Sequence, residues 1–266
     1  MTDTIKILFV GAMEKEIMDL LKDLKCTEDS KLLGQYPFFV GIWIKDSKYI
    51  SIGVVNTFVG DLNASVATVA AIQKFNPHYV FKIGCVGGNS AGIYKGDIIL
   101  PSGYFHSASW ITRSCTDNSA TSNASLWQSV FGDLPYQVNM ENLGNNPYFF
   151  VPDKGLSQKY EELLKSKKVK YSSAYIGSSN MWFFEKKYMS NVATTHIPKN
   201  SSHKRWVADM ESYAIAHSCF IFKKPFFGFY VVSNSDYYDE PYFLEDIAEM
   251  FHTVIVPTVT DYLSVL

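Results

Sequence analysis

One stretch near the end of the chain reads Phe226-Phe227-Gly228-Phe229-Tyr230-Val231-Val232-Ser233-Asn234-Ser235-Asp236. Its residues 226–232 are apolar or glycine, which is typical of a buried strand in an α/β sheet, and polar residues with a final aspartate follow. Ligands of open α/β sheets bind outside the carboxyl ends of the strands. We therefore expect Asp236 to lie at a ligand-binding site.

A second run, earlier in the chain, reads Val207-Ala208-Asp209-Met210-Glu211-Ser212-Tyr213-Ala214-Ile215-Ala216. It places two carboxylates and a methionine where a helix begins, with apolar and small residues after them. Taken alone, a glutamate at a helix start is usually a surface charge, and an aspartate after a strand is often an N-cap. Taken together, a carboxylate that holds ribose hydroxyls and another that protonates a leaving group would suffice to attack a nucleoside.

Strand and helix signals alternate along the whole chain. This alternation predicts an α/β fold: a single domain over residues 1–266, with a central mixed β-sheet flanked by helices. The predicted strands are residues 5–10, 38–44, 49–55 (a hairpin with the preceding strand), 79–83, 97–100, 170–176 and 226–232. The predicted helices are residues 14–24, 61–76, 156–165, 210–222 and 244–263. A glycine-rich turn is predicted at 84–88, the strand at 97–100 is expected to end at Pro101, and residues 114–152 predict a long irregular excursion.

The composition excludes several classes of function. The chain has 24 Lys and Arg against 26 Asp and Glu, a formal charge of −2, which gives no reason to expect nucleic acid or an anionic membrane as a partner. No signal peptide is recognised, and no apolar run approaches the roughly 20 residues of a membrane span. Four scattered cysteines suit the cytoplasm, where we expect this protein. Neither cysteines nor histidines have metal-ligand spacing, so we predict no metal and no cofactor.

The first predicted strand runs into a helix through Val10-Gly11-Ala12-Met13-Glu14-Lys15-Glu16. Acidic residues in a first helical turn often serve only the helix dipole, which is worth about 0.3–1 kcal/mol at a surface. The functional alternative is that one carboxylate points over the carboxyl edge of the sheet and orients a water molecule. Glu14 and Glu16 are two positions apart and cannot share a helix face, so at most one of them lines a site.

A glycine-containing segment, Lys82-Ile83-Gly84-Cys85-Val86-Gly87-Gly88, follows another predicted strand. Its glycines either bring backbone amides close to a ligand or simply turn the chain. The segment matches neither the P-loop nor the dinucleotide-binding pattern. Cys85 is more readily interpreted as a small buried hydrophobe than as a nucleophile. The aromatic residues near Asp236 either belong to the core or wall an apolar pocket for a flat base; they are Tyr237, Tyr238, Tyr242 and Phe243.

In this order, the segments resemble the nucleoside phosphorylase/uridine phosphorylase superfamily, and within it 5′-methylthioadenosine/S-adenosylhomocysteine nucleosidases. The matching stretches are residues 5–17, 59–101 and 207–236, somewhat under half of the chain. The resemblance implies that Glu16 positions an attacking water, that Met210 and Glu211 contact the ribose, and that Asp236 acts as the acid at the purine. Ser235 is expected to orient Asp236. Further substrate contacts implied by the resemblance are Met13, Cys85, Gly87, Met181, Trp182 and Phe243.

The chemistry agrees with these roles. Breaking an N-glycosidic bond builds positive charge on the ribose and negative charge on the base, and the carboxylates and the acid stabilise the two ends. Asp236 needs a raised pKa to deliver a proton near neutral pH, and burial among the tyrosines and Phe243 would supply it.

Two positions depart from the nucleosidase pattern. Cys85 stands where these hydrolases usually carry serine, and Lys82 stands where the phosphorylases carry a phosphate-binding arginine. The phosphorylases also begin with a Gly-Asp-Pro-x-Arg loop, which this chain lacks, and a carboxylate at Glu16 would repel phosphate. Water is therefore the favoured nucleophile. A phosphate-dependent phosphorylase that uses Lys82 and a non-catalytic storage relative remain the alternatives. The resemblance also implies a homo-oligomer, with a dimer favoured, acting on a small nucleoside.

Overall fold

A computed structural model describes residues 4–45, 48–112, 123–131 and 147–266 of the chain. Over these ranges the protein has a mixed α/β fold with a central mixed β-sheet flanked by helices, which confirms the predicted fold class. Most of the excursion predicted at 114–152 lies outside the described residues. Its described parts contain a 3₁₀ turn at Ala124–Leu126 and two very short strands.

The described strands are β1 (Ile5–Gly11), β2 (Thr27–Leu32), β3 (Tyr36–Lys45), β4 (Lys48–Asn56), β5 (Tyr79–Gly88), β6 (Ile98–His106), β7 (Trp110–Ile111), β8 (Gln128–Ser129), β9 (Phe149–Phe150), β10 (Tyr171–Ser178), β11 (Trp206–Asp209) and β12 (Phe226–Ser235). The described helices are α1 (Glu14–Asp23), α2 (Asp61–Phe75), α3 (Lys154–Ser166), α4 (Lys186–His196), α5 (Ser212–Ile221), α6 (Leu244–Met250) and α7 (Val256–Val265), with a π-helical turn at Phe251–Ile255 joining the last two. Every predicted strand and helix overlaps one of these elements.

Four parallel strands in the order β4-β1-β5-β12 form the centre of the sheet. β3 and β2 continue it antiparallel beyond β4. On the other side β12 pairs antiparallel with β6, and β6, β10 and β11 are parallel to one another. β11 then returns to β5, with Val207 opposite Gly88 and Ala208 opposite Gly87. Because this pairing closes five strands into a ring, the end of β11 lies beside the end of β5.

Alternate residues of β1 belong to two different hydrophobic cores, since successive side chains of a strand point to opposite faces. Ile7 and Phe9 pack in a cluster that includes residues of α1 and α7, while Leu8 and Val10 pack in a second cluster with α2 and α5. Full burial of one such side chain stabilises the fold by about 1.5–3 kcal/mol. A third cluster, on the far side of the ring, contains Phe105, Phe183, Met189 and Trp206. It holds α4 and the loop after β10 in place.

The turn predicted at residues 84–88 is wrong, because β5 continues as a strand to Gly88. β12 pairs along this whole segment, from Tyr230 opposite Gly84 to Ser235 opposite Gly88. The glycines instead permit a close approach: a Cβ at Gly87 would lie 3.2 Å from the amide nitrogen of Asn234. The polar end of β12 is thereby brought against β5.

The strand end predicted at Pro101 is also wrong, since β6 continues to His106. Pro101 lies opposite Ala174 of β10, immediately before an irregularity in the register of this pair. Proline has no N–H to donate, and within sheets it is found mainly at edges or at irregularities of this kind.

Helix α5 begins at Ser212, two residues later than predicted. The preceding residues 206–209 form β11, whose four residues are too few to give a period in the sequence. Asp209 therefore ends a strand, and Met210 and Glu211 form the connection to α5. Among the residues that the structure describes, no helix combines the length and apolar character needed to cross a bilayer.

Candidate active site

A cavity of about 330 Å³ lies at the carboxyl ends of β1, β5 and β12, next to the connection between β11 and α5. Its volume falls within the range of ligand-binding pockets. Nine of the residues predicted from the sequence line it: Met13, Glu16, Cys85, Gly87, Met181, Trp182, Met210, Glu211 and Asp236. The structure thus brings five segments that are far apart in sequence to one site.

Glu16 is fixed on the cavity wall by backbone N–H groups. The N–H groups of Ala12 and Met13 donate to its Oε2 at 2.9 and 3.0 Å, and the N–H of Cys85 donates to its Oε1 at 3.0 Å. The side chain is buried, whereas Glu14 is exposed, so one member of this pair lines the cavity. A carboxylate has about four lone-pair sites. Glu16 therefore keeps acceptor capacity for a small donor such as water.

Glu211 stands directly before α5, and its side chain accepts hydrogen bonds from two donors outside that helix. The N–H of Gly60 donates to its Oε1 at 3.0 Å, and the ammonium of Lys82 donates to its Oε2 at 3.1 Å. Gly60 has a φ of +105°, a conformation that a residue with a Cβ rarely adopts, so glycine is needed to present this N–H. Glu211 is held as an acceptor that faces the cavity.

Lys82, the predicted alternative phosphate ligand, does not line the cavity. Its side chain is buried within the fold, with Nζ against Glu211 and 3.9 Å from Oδ2 of Asp209. Burial lowers the pKa of Lys82, but the surrounding carboxylates raise this pKa by more, and the net result lies above its usual value. In order of effect these carboxylates are Glu211, Glu16 and Asp209. Lys82 is therefore a charged residue beneath the site.

Asp209, at the end of β11, lines the cavity and was not predicted as a site residue. Its Oδ1 accepts a hydrogen bond from the hydroxyl of Ser178 at 2.5 Å, and its Oδ2 accepts from the hydroxyl of Ser212. The Ser212 hydroxyl in turn lies 2.8 Å from the Tyr230 hydroxyl. Burial raises the pKa of Asp209, which Lys82 partly opposes. Asp209 lies two positions before Glu211, and residues two apart in an extended segment point to the same side. This spacing could have indicated from the sequence that both line the cavity.

Asp236 directly follows β12 and lines the cavity. The ends of β12 and β11 pair with the end of β5 on its two sides, with Asn234 and Ala208 both opposite Gly87. The side-chain amide of Asn234 donates to its Oδ1 at 2.9 Å. Burial raises the pKa of Asp236 above its usual value, and the side chains of Trp182 and Asn234 lower it in part. A raised pKa increases the protonated fraction near neutral pH, which a general acid requires.

Ser235 does not orient Asp236, contrary to the prediction. It is wholly buried, and its hydroxyl donates to the backbone oxygen of Ile93 at 3.0 Å. Alternate residues of an extended segment point to opposite sides, so Asn234 and Asp236 face the cavity and Ser235 faces away. Asn234 therefore makes the contact with Asp236 that was predicted for Ser235. Its spacing of two residues from Asp236 could have indicated this from the sequence.

Phe243 also lies outside the cavity: its side chain is 52% exposed, and the ammonium of Lys95 lies 5.0 Å from its ring centre. Its neighbour Tyr242 lines the cavity instead. The Tyr242 ring meets the Trp182 ring edge to face, with 5.6 Å between their centres. Burial raises the pKa of Tyr242 to about 12. Tyr242 and Trp182 form an aromatic corner at the cavity.

The loop after β10 carries Met181 and Trp182, which are partly exposed and line the cavity. Phe183 is buried in the third hydrophobic cluster and anchors this loop. The side-chain amide of Asn180 donates to Asp61 at 3.0 Å, which ties the loop to the start of α2. The flat indole of Trp182 and the flexible thioether of Met181, both on an anchored loop, can pack against an aromatic base.

Comparisons with known proteins agree with this geometry. A sequence model of the phosphorylase superfamily matches residues 6–255. A 5′-methylthioadenosine/S-adenosylhomocysteine nucleosidase of Shewanella loihica is 25% identical over 237 residues, covering 89% of both chains. One from Bacillus pumilus is 23% identical over 222 residues, covering 83% of this chain and 82% of its own.

Solved structures show the same fold. The nucleosidase of Campylobacter jejuni superposes with a TM-score of 0.74 at 16% identity, covering 98% of this chain and all of its own. The futalosine hydrolase of Helicobacter pylori superposes with a TM-score of 0.72 at 16% identity, covering 99% of each chain. At these identities the superpositions establish the fold and leave the substrate to be argued from the site.

Proposed function

The chain belongs to the phosphorylase superfamily, and from this premise we propose that it hydrolyses the N-glycosidic bond of a purine nucleoside. The proposed substrates are 5′-methylthioadenosine and S-adenosylhomocysteine, because the relatives that align over more than four fifths of the chain carry the name of that nucleosidase. The observation that carries the proposal is that Glu16, Glu211 and Asp236 line one cavity.

In the proposed reaction, the oxygen of water bonds to the anomeric carbon of the sugar while the bond from that carbon to the base nitrogen breaks. Glu16 orients the water and accepts its proton, and Asp236 donates a proton to the departing base. Glu211 accepts hydrogen bonds from the sugar hydroxyls and stabilises the positive charge that develops on the ring. Proton exchange with solvent restores both carboxyl groups, and Met181 and Trp182 stack on the base.

Water is favoured over phosphate as the nucleophile because of the charges around the cavity. Of the lining residues that the structure describes, none is lysine or arginine, while four are Asp or Glu. Lys82 lies behind Glu211, and its ammonium is engaged by carboxylates. A phosphate dianion would therefore meet like charges in this cavity. These contacts argue against the phosphate-dependent alternative.

A storage or binding role is the second alternative. A binding protein needs a cavity that fits its ligand but has no need for a buried acid. Here burial raises the pKa of Asp236, and three N–H donors hold Glu16, which are features that serve a reaction. Both features favour catalysis.

Incubation with purine nucleosides tests the proposal. The panel is methylthioadenosine, S-adenosylhomocysteine, inosine and adenosine, each with and without phosphate, and the readout is release of the free base. We expect release without phosphate, fastest for one of the first two compounds. Release that requires phosphate supports the phosphorylase, and tight binding without release supports the storage role.

We further propose that the protein is a homodimer whose interface lies beside the cavity. Leu62 and Val66 are four residues apart on one face of α2, and both are exposed, Leu62 to 79%. Phe184, exposed to 73%, belongs to the loop that Asn180 ties to the start of α2. Large exposed apolar side chains that cluster mark interaction sites. Light scattering should show a dimer that Leu62→Lys weakens. The cytoplasmic location, the role in salvage and the single-domain organisation stay predictions.

A further inference from the structure

Lys82 is a buried cation at a place where an apolar residue would suit the fold. It lies in the central strand β5, and its side chain has no exposed surface. Lysines are almost never fully buried unless they are paired. Replacing a buried ion pair by apolar residues is often neutral or stabilising, so such a pair is weak evidence of a stabilising role. Its position directly beneath the cavity points to a role in the site.

The ammonium of Lys82 lies among carboxylates from three elements. Nζ is 3.1 Å from Oε2 of Glu211 and 3.9 Å from Oδ2 of Asp209, which come from β11 and the connection after it. Glu16 of α1 also acts on the ammonium electrostatically, as it does on the neighbouring thiol of Cys85. Two further titratable groups of the described structure interact with this cluster: the thiol of Cys85 interacts with Lys82, and the hydroxyl of Tyr230 interacts with Asp209 and Glu211.

Gly84 makes room for this arrangement. A Cβ built on Gly84 would lie 2.8 Å from Nζ of Lys82 and 3.4 Å from Oε1 of Glu16. The first distance is shorter than side-chain carbons tolerate, so a glycine at this position lets the lysine side chain bend toward the cavity wall. The missing side chain of Gly84 therefore leaves space for the Lys82 ammonium beside Glu211.

We propose that Lys82 is a positioning residue whose ammonium orients Glu211 toward the sugar and offsets the repulsion between Glu211 and Asp209. The proposal rests on the proposed function, since it assigns Glu211 to the sugar hydroxyls. Lys82 touches neither substrate nor nucleophile, and acts through Glu211.

The electrostatic reason is the closeness of like charges. Asp209 and Glu211 are both buried and lie on either side of one ammonium. Without that ammonium, two buried carboxylates cannot both stay ionised at little cost, and one of them retains a proton. A proton shared by this pair would weaken the acceptor that Glu211 presents to the sugar. Lys82 therefore extends the range of pH over which the sugar site is competent.

The pH–activity profile of Lys82→Met tests this role. We expect kcat/KM to fall roughly ten- to hundredfold near neutral pH, the effect of losing a hydrogen bond to a charged group. Activity should recover in part as the pH rises and the carboxylates ionise without their cation, so the acid limb moves to higher pH. Lys167→Met is the matched control, because Lys167 pairs with Asp261 between α3 and α7, away from the cavity. The control should leave the profile in place.

A double variant covers the case in which Lys82→Met fails to fold. Lys82→Met combined with Glu211→Gln removes both charges of the closest pair, and is compared with Glu211→Gln alone. Equal kcat/KM for these two proteins, within about threefold, supports action through Glu211. A double variant that is far slower than Glu211→Gln shows that Lys82 acts directly and overturns the proposal.

The outcomes separate this inference from the proposed function. If the wild-type protein cleaves no nucleoside of the panel, the proposed function fails and the role of Lys82 fails with it. If the wild type cleaves but the loss in Lys82→Met is absent or the same at every pH, the role of Lys82 alone is wrong. Inorganic phosphate should neither speed the wild-type reaction nor be consumed, and consumption of phosphate also overturns the proposal.

Discussion

The two ends of the cavity hold their carboxyl groups in different ways. Glu16 accepts three backbone N–H bonds, and Glu211 accepts one N–H and the ammonium of Lys82. Burial raises the pKa of Asp236, and its neutral donors, Trp182 and the side-chain amide of Asn234, lower this pKa only in part. N–H donors and cations favour the charged form of a carboxyl group, whereas burial favours the protonated form. The same functional group therefore serves as a charge at one end and as an acid at the other.

Asp236→Asn removes the acid and should cause the largest loss of activity. The amide keeps the shape of the carboxyl but has no acidic proton to transfer. General acid catalysis contributes about 100- to 10,000-fold, so we expect kcat on methylthioadenosine to fall by at least about 100-fold. The dissociation constant of a substrate analogue should change little, because the amide can still donate a hydrogen bond to the base.

A nitrophenyl riboside is the control for this variant. Its leaving group departs without protonation, so Asp236→Asn should slow its cleavage far less than that of the natural substrate. Equal losses on the two substrates would mean that Asp236 is structural and that the proton comes from another group.

Glu211→Gln should weaken the charged end by a smaller factor. The change is nearly isosteric but removes the acceptor charge, and hydrogen bonds to charged groups are worth about 1.5–3 kcal/mol. We expect kcat/KM to fall roughly ten- to hundredfold. A substrate that lacks the contacted sugar hydroxyl should already be slow and should lose little more in the variant. Unchanged activity on the full substrate would remove Glu211 from the sugar site.

Asn234→Leu should change the pKa of Asp236 while leaving its carboxyl group in place. Asn234 donates to Asp236 and lowers its pKa, as Trp182 does, whereas Asp239 raises it. Loss of the amide should raise the pKa of Asp236 further. The protonated form is the active one, so activity is present below this pKa and lost above it. The alkaline limb of the kcat profile should therefore move to higher pH. A limb that stays in place would contradict the role of Asn234.

Ser235→Ala is the matched control with the smallest expected effect. Ser235 is adjacent to both Asn234 and Asp236, but its hydroxyl donates to the Ile93 backbone on the other side of the chain. The free energy of unfolding should fall by about 1 kcal/mol for the lost hydrogen bond. kcat/KM and its pH profile should stay close to those of the wild type, measured under the same conditions. A shift of the alkaline limb in Ser235→Ala would mean that Ser235, and not Asn234, sets the pKa of Asp236.

Prediction from the sequence succeeded where the signal was local and periodic. The central strands and the long helices were identified because their apolar side chains repeat along the chain. The segments that carry Glu16, Glu211 and Asp236 each stand at the end of a strand or the start of a helix, where parallel sheets place their ligands. Each signal was weak alone, and the three were selected because their order resembles the nucleosidases.

Prediction failed where long-range pairing decides the conformation. β5 continues through its glycines because β12 lies alongside, and β11 forms because it pairs with β10 on one side and with β5 on the other. Neither pairing leaves a local pattern. The partner of Lys82 could not be found for the same reason, since 129 residues separate it from Glu211. The contact with Asp236 was predicted for Ser235 and is made by Asn234. The sequence alone did not determine which of these two neighbours faces the cavity.

Cleavage of methylthioadenosine in phosphate-free buffer is the measurement that distinguishes water from phosphate as the nucleophile. We expect free adenine and an unphosphorylated methylthioribose as the two products, identified by mass spectrometry. Adding inorganic phosphate should change neither the rate nor the product. Absence of cleavage without phosphate, together with a sugar 1-phosphate when phosphate is present, would contradict the account.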